Sequence, residues 1–485
     1  MQQSTSFYRV VPWALVLASL LFAAVSPGFL ENDEICHYLK AAWTWHDWKQ
    51  VLDVWGRPAC TGIYALGAAI GGLFGARLLA VGITALTVFG AARLAQRLGL
   101  IEIEPHAAAK GAAIVALLTF AQPFVVMHSF TVMTEMLLAC AWVWAAVLLV
   151  EKRLLLASIT LGLGVLARPE GPFAVTLWPV FIIIWSRLTA TKISVPRWLL
   201  ATLLAGLPAL AWYLLGVIGY DNWQWPLHAF PWSAQSQYGR TGGKFILSTL
   251  LAMAVWLWVP IVIGARRLLS AHREAALVLI VPLAAFTGLH AILGTFGLMG
   301  SYSMPRYFVS VAPFAAILAF AGLHRISLNR LLPALVGIVV TMAILLGVLG
   351  FLPTQQTDDQ AQVDAAIAYF DQHEPAAWRQ RVIAGDPYVT WALAQRDSVS
   401  ATWAGNGDAI LQAAPPGAIL IFGRELWHNE RRPGDAGLRA LGFVPHEAAQ
   451  AHTSAARGRQ FRLPGTITGA GVWVKQFAAT APTGG

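Results

Sequence analysis

Four short clusters of charged and aromatic residues, each at the edge of an apolar run, hold the side chains of this chain that could do chemistry. The first is Asn32, Asp33 and Glu34, with His37 and Tyr38 close behind. Paired carboxylates at a membrane surface can divide labour: one takes a proton while the other orients a ligand or tunes its neighbour. Acids also suit the first turn of a helix, where they meet the positive end of the dipole, so capping explains the pair equally well.

The second cluster is Ala167-Arg168-Pro169-Glu170-Gly171, a hinge between two apolar runs. An arginine beside an acid at such a junction can hold a phosphate while the acid meets a hydroxyl or fixes the guanidinium. A plain turn with an internal ion pair is the competing account, since Pro and Gly mark turns. The third is Tyr302-Ser303-Met304-Pro305-Arg306-Tyr307, in which Arg306 is a candidate phosphate ligand and Tyr307 a ring for a sugar or the interface. In the fourth, His128 and Glu135 bracket the loop HSFTVMTE, and a longer loop from Tyr220 to Phe245 brings Arg240 and Lys244. Such loops suit carbohydrate or lipid headgroups, although interfacial aromatic belts give the same composition.

Several chemistries lack their residues. GRTGGKF at 239–245 is not a phosphate-binding P-loop, because its first glycine is misplaced and Phe245 stands where Ser or Thr is needed. Neither HExxH nor GxSxG occurs, and no dinucleotide fingerprint sits between a strand and a helix. No acidic or histidine cluster indicates a metal, so no cofactor is expected. Of the three cysteines, Cys36 and Cys60 share an outer loop, where an oxidising compartment would permit a bridge that spacing alone does not decide.

The elements that must position these clusters are membrane helices. Among 485 residues, 57% are hydrophobic and only 12% charged, against about 25% charged in soluble domains; mean hydropathy is +0.61. Runs long enough to span a bilayer recur at 11–29, 76–98, 111–127, 136–150, 154–167, 172–186, 198–218, 246–264, 276–294, 309–323 and 332–352. The reading is a polytopic α-helical membrane protein of about eleven spans, its first run retained as a helix. The segment HYLKAAWTWHDWKQVLDVW reads as an interfacial amphipathic helix, and 64–74 as apolar but short for a span.

Lys and Arg concentrate in one set of alternating loops, around Arg9, Arg93, Arg97, Lys110, Lys152, Arg153, Arg187, Arg197, Arg266 and Arg267. The positive-inside rule then places the N-terminus in the cytoplasm of a plasma-type membrane. All four clusters fall outside, as do most acids. Basic residues spread in this way explain a net charge of +9 without a nucleic-acid partner. After Pro353 the pattern becomes that of a small α/β domain, with strands at VIAGD, AILIF and GVWVKQF. The expected division is a membrane domain, 1–352, and a soluble extracytoplasmic domain, 353–485.

Asp33 and Glu34 opening a long first outer loop, RPEG at 168–171 and PRYF at 305–308 together resemble the GT-C superfamily of glycosyltransferases. The first loop is most similar to mannosyltransferases of the lipid-linked oligosaccharide and glycolipid-anchor type. The resemblance implies a GT-C-like fold and an inverting transfer of a hexose from a polyprenyl-phosphate sugar to a lipid, glycan or protein acceptor. By match, Asp33 would be the base and Glu34 an orienter. Arg168 and Arg306 would hold the leaving phosphate, with Glu170, Tyr307, His128, Glu135 and Lys244 around the substrates; some relatives use a divalent cation. Against this stand a transporter or flippase of lipid-linked glycans, which would carry matched broken spans, and a polymerase or ligase of surface polysaccharide, which would lean on arginines and histidines rather than Asp33.

Overall fold

The computed structural model describes residues 2–228, 244–296, 304–323, 326–374, 378–397, 402–403, 408–429, 432–461 and 467–476. By internal contacts the chain forms two compact units: Met1–Val25 with His37–Leu345, and Ser26–Cys36 with Leu346–Gly485.

The first unit is helical. Seven helices among the described residues are long and apolar enough to cross a membrane: Tyr8–Val25, Pro58–Arg97, Gly171–Leu188, Val195–Tyr220, Arg273–Phe296, Pro305–Gly322 and Asn329–Val348. Shorter apolar helices run Pro105–Phe120, Glu135–Val150 and Leu154–Ala167. Val10, Leu17 and Leu21 keep more than half their surface exposed along one stripe of the first helix, as lipid contact requires.

Prolines and glycines set where these helices stop. The expected run 111–127 ends at Phe120, and Pro123, which cannot donate the next backbone bond, opens a separate helix Pro123–His128. The stretch 64–74 lies within Pro58–Arg97 and holds the kink at which two helices join, where Gly71 and Gly72 leave helical geometry, Gly72 at φ 57°. The expected span 246–264 divides into Lys244–Ala252 and Trp258–Ala271 around a 3-10 turn at Val255–Leu257. The amphipathic segment is a helix only to Trp43, then a 3-10 turn Trp48–Leu52 capped by Asp47.

Small residues bring the helices close. Gly264 lies against the carbonyl of Leu318 and Gly322 against that of Pro260, so Trp258–Ala271 and Ala312–Gly322 pack backbone to backbone. At one end of the bundle Glu151 receives Arg93 at 2.9 Å and Arg97 at 2.7 Å, tying the long helix to the turn after Val150.

The second unit holds a five-stranded sheet in the order β2-β1-β3-β5-β4, with β1 Val382–Ala384, β2 Thr402–Trp403, β3 Ile419–Gly423, β4 Phe443–Pro445 and β5 Ala470–Lys475. β1 runs parallel to β2 and β3, while β5 is antiparallel to β3 and β4. Every residue of β3 is buried, as expected of a central strand covered on both faces. Ile383, Leu420, Phe422, Trp427, Phe443 and Trp473 form its core. The helix Asp358–His373 starts on a capping box between Thr357 and Gln360. Ser26–Cys36 belongs to this unit: Gly28 donates to the Thr354 carbonyl at 3.0 Å, and Phe29 meets the Trp391 ring edge-on at 4.9 Å. Cys36, Cys60 and Cys140 are thiols, with no disulfide in the chain.

Candidate functional site

The RPEG turn builds the centre of the helical unit's site. Arg168 takes an extended conformation, φ −151° and ψ 158°, as a residue before proline must, and this ends the helix Leu154–Ala167. Gly171 opens the next helix so close to the previous one that a Cβ would strike the backbone of Gly164 and Val165. That closeness folds Glu170 back onto Arg168.

Arg168 is 5% exposed and nearly saturated. Its Nε donates to Glu170 Oε2 at 3.0 Å and its Nη2 to Glu170 Oε1 at 2.9 Å. Nη1 lies 2.5 Å from Glu135 Oε1 and donates to Thr134 Oγ1 at 2.9 Å. The Tyr307 ring lies 4.7 Å from the guanidinium carbon. Arg306 Nε approaches Glu135 Oε1 at 3.6 Å. Burial alone would push Glu170 up, but Arg168 and His290, whose Nε2 lies 3.1 Å from Oε1, hold its carboxyl well below the usual carboxylate range. The structure therefore gathers Glu135, Arg168, Glu170, Arg306 and Tyr307 into one buried network.

Two members of the site were not singled out from sequence. His290 lies within the helix Arg273–Phe296, its ring tilted against Phe286 at 4.5 Å and Tyr307 at 5.3 Å; an ionisable residue inside a span is the signal that marks it. Arg57, read as one more loop cation, is only 8% exposed and forms no side-chain hydrogen bond or ion pair among the described residues. Burial lowers its pKa to about 10, with the field of Glu170 opposing and that of Arg168 reinforcing the shift. Its backbone sits at φ 64°, a strained conformation for an arginine. Among the described residues, the buried guanidinium groups of Arg57, Arg168 and Arg306 thus lie with two buried carboxylates, Glu135 and Glu170, while the partly exposed Asp53 adds its field at Arg57. Such an imbalance favours an anion.

The remaining candidates lie elsewhere or are occupied locally. Asp33, half-buried, and Glu34, fully buried, stand in the first turn of Asn32–Trp43, in the stretch that belongs to the second unit. Glu34 Oε2 accepts the Leu30 N–H at 2.8 Å and so closes the turn that presents Asp33. His128 is buried, its Nδ1 paired with the Phe124 carbonyl at 2.8 Å within its own helix. Lys244 begins the helix Lys244–Ala252, but its side chain, like Arg240, Tyr302 and Ser303, lies outside the described residues. No group of three metal-ligating side chains occurs among the described residues.

No protein-family model matches the chain, and no curated protein does. Solved structures do. ArnT from Cupriavidus metallidurans in the apo state superposes with a TM-score of 0.65 at 13% identity, over 96% of this chain and 98% of that one. The fold is that of ArnT. A second ArnT structure, bound to undecaprenyl phosphate, superposes with a TM-score of 0.61 at 12% identity over the same shares. The likeness covers residues of both units, the helical membrane part and the small α/β part, and the fold is ArnT-like.

Proposed function

We propose that this protein is a membrane glycosyltransferase that moves a hexose from a polyprenyl-phosphate carrier to a hydroxyl of a lipid, glycan or protein acceptor, inverting the anomeric centre. The observation that carries the reading is the excess of buried positive charge in the helical unit, where Arg57, in the fields of Glu170 and Asp53, makes no side-chain hydrogen bond or ion pair among the described residues. A carrier phosphate would neutralise that excess, and one ArnT structure of this fold holds undecaprenyl phosphate. Arg57 and Arg306 hold the phosphate in this account. Arg168, most of whose donors already serve Glu135, Glu170 and Thr134, supplies charge at the phosphate and keeps both carboxylates ordered.

In the reaction the acceptor oxygen bonds to the anomeric carbon while the bond from that carbon to the phosphate oxygen breaks. The phosphate leaves as an anion that needs no acid, and its charge is met by the arginines. Asp33 takes the proton of the acceptor hydroxyl, and Glu34 shapes the turn that presents it. Glu170, Tyr307 and Glu135 complete the substrate surroundings, with a mannose-like sugar as the first donor to try. No metal enters this mechanism. The site faces the outer side, with the N-terminus cytoplasmic and the α/β domain extracytoplasmic.

The test is transfer from a panel of labelled polyprenyl-phosphate sugars in reconstituted membranes, comparing the wild type with Asp33→Asn. Transfer by the wild type alone supports the assignment. Movement of a lipid-linked glycan between leaflets without transfer would replace it with a flippase.

A further inference from the structure

The turn Trp55-Gly56-Arg57 carries the buried guanidinium of Arg57, and it also fixes a second buried group that the proposed chemistry has not used. His37, 5% exposed, stacks on Trp55 with ring centres 4.5 Å apart and planes 15° apart. The backbone of Gly56 hydrogen-bonds the same ring. Stacking and that bond hold the imidazole in one orientation. Its Nδ1 is shut off from solvent with no hydrogen-bond partner among the described residues. A buried polar atom left unpaired is unfavourable, and one held rigidly beside a substrate site invites a ligand partner.

The surroundings decide which partner fits. Burial, with Lys40, Arg168 and Arg57 nearby, lowers the pKa of His37 to about 3. The ring is therefore neutral in the physiological range. One nitrogen of a neutral imidazole donates and the other accepts, so with the Gly56 carbonyl taking the N–H, Nδ1 is the acceptor. An acceptor cannot bond a phosphate oxygen, which also only accepts. A hydroxyl group can donate to it, and the group adjoining a phosphate held by Arg57 is the sugar attached to that phosphate.

Resting on the function proposed above, we infer that His37 is a specificity residue whose Nδ1 accepts a hydrogen bond from a hydroxyl of the donor sugar. The residue reads the sugar and leaves the carrier to the arginines. His37 does no proton transfer in this role.

The experiment measures binding of undecaprenyl phosphate, and of the same carrier bearing a hexose, to the purified full-length wild type, His37→Phe and His37→Asn. His37→Phe keeps a ring to stack on Trp55 and removes the acceptor. It is expected to bind the bare carrier as the wild type does and to raise the Kd for the sugar-bearing carrier about tenfold. His37→Asn, whose side-chain oxygen can stand near the former Nδ1, is expected to recover part of that loss. Equal weakening of both carriers would show a structural role and overturn the inference. So would unchanged donor binding with a raised acceptor KM, which would assign the hydroxyl to the acceptor. A wild type that binds neither carrier would remove the proposed function itself, and this inference with it.

Discussion

Arg168 and Glu170, two residues apart in sequence, meet through two parallel hydrogen bonds, Nε to Oε2 at 3.0 Å and Nη2 to Oε1 at 2.9 Å. Glu135, from a different helix, closes on the same guanidinium at 2.5 Å. Arg168 therefore joins two helix ends in a setting where none of the three side chains is more than 6% exposed.

Removing Arg168 would leave two buried carboxylates without their cation. Arg168→Ala is expected to destabilise the protein by about 3–5 kcal/mol, and Arg168→Lys by less, because lysine keeps the charge but not the two-point geometry. Thermal unfolding in detergent would show this as ordered losses in Tm. An unchanged Tm in Arg168→Ala would mean the network contributes nothing to stability.

Arg57 has no such partners, so its removal should be felt by the ligand and not by the fold. Arg57→Ala is expected to unfold near the wild-type temperature while binding polyprenyl phosphate roughly ten- to a hundredfold more weakly, the loss of one or two charged hydrogen bonds. Titration of the carrier measures it. Wild-type affinity in this variant would refute Arg57 as the phosphate ligand.

Asp33→Asn keeps the size of the side chain and removes its basicity. Transfer should be abolished while donor binding persists, which single-turnover transfer beside a binding titration separates. Full activity in the variant would exclude Asp33 as the base.

At Gly171 a methyl group would meet the backbone of Val165 and Gly164. Gly171→Ala is expected to cost about 1–3 kcal/mol through this overpacking and to lower transfer, since Glu170 would move with the turn. A variant as stable and active as the wild type would show that the turn has room to relax.

In the α/β domain, desolvation raises Asp359 from the ordinary aspartate range to about 7, although Gly469 and Glu425 donate their N–H groups to it at 2.6 Å and 2.9 Å. Burial pushes Asp386 the same way. A folded-state pKa above the unfolded value means the native domain holds more protons, so stability is greatest in acid and falls as pH rises from about 4 to about 7. Unfolding followed across that range should show the decline, with a shallower slope in Asp359→Asn. Stability rising over the same interval would contradict the environment described for Asp359.

Much of this architecture was legible in local sequence. The runs 154–167 and 172–186 became helices Leu154–Ala167 and Gly171–Leu188 because an extended residue before Pro169 must separate them. The strands in VIAGD, AILIF and GVWVKQF became β1, β3 and β5, since short apolar runs bounded by Gly and Pro leave little else. Hydropathy failed where it averaged over breaks: the run at 246–264 hides a 3-10 turn, and the segment at 64–74 hides the break at Gly71 and Gly72 where one helix ends and the next begins.

The sequence by itself determined that this is a membrane protein with a small C-terminal α/β region, because hydropathy and strand patterning act over tens of neighbouring residues. It also marked Asp33, Arg168 and Arg306 by their side-chain chemistry. Tertiary structure alone decided which charges neutralise one another: Glu135 and Glu170 close on Arg168, His290 arrives from a helix about 120 residues away, and Arg57 is buried with no ion pair among the described residues. Charge pairing falls off within ångströms in space, and separation along the chain carries no record of it.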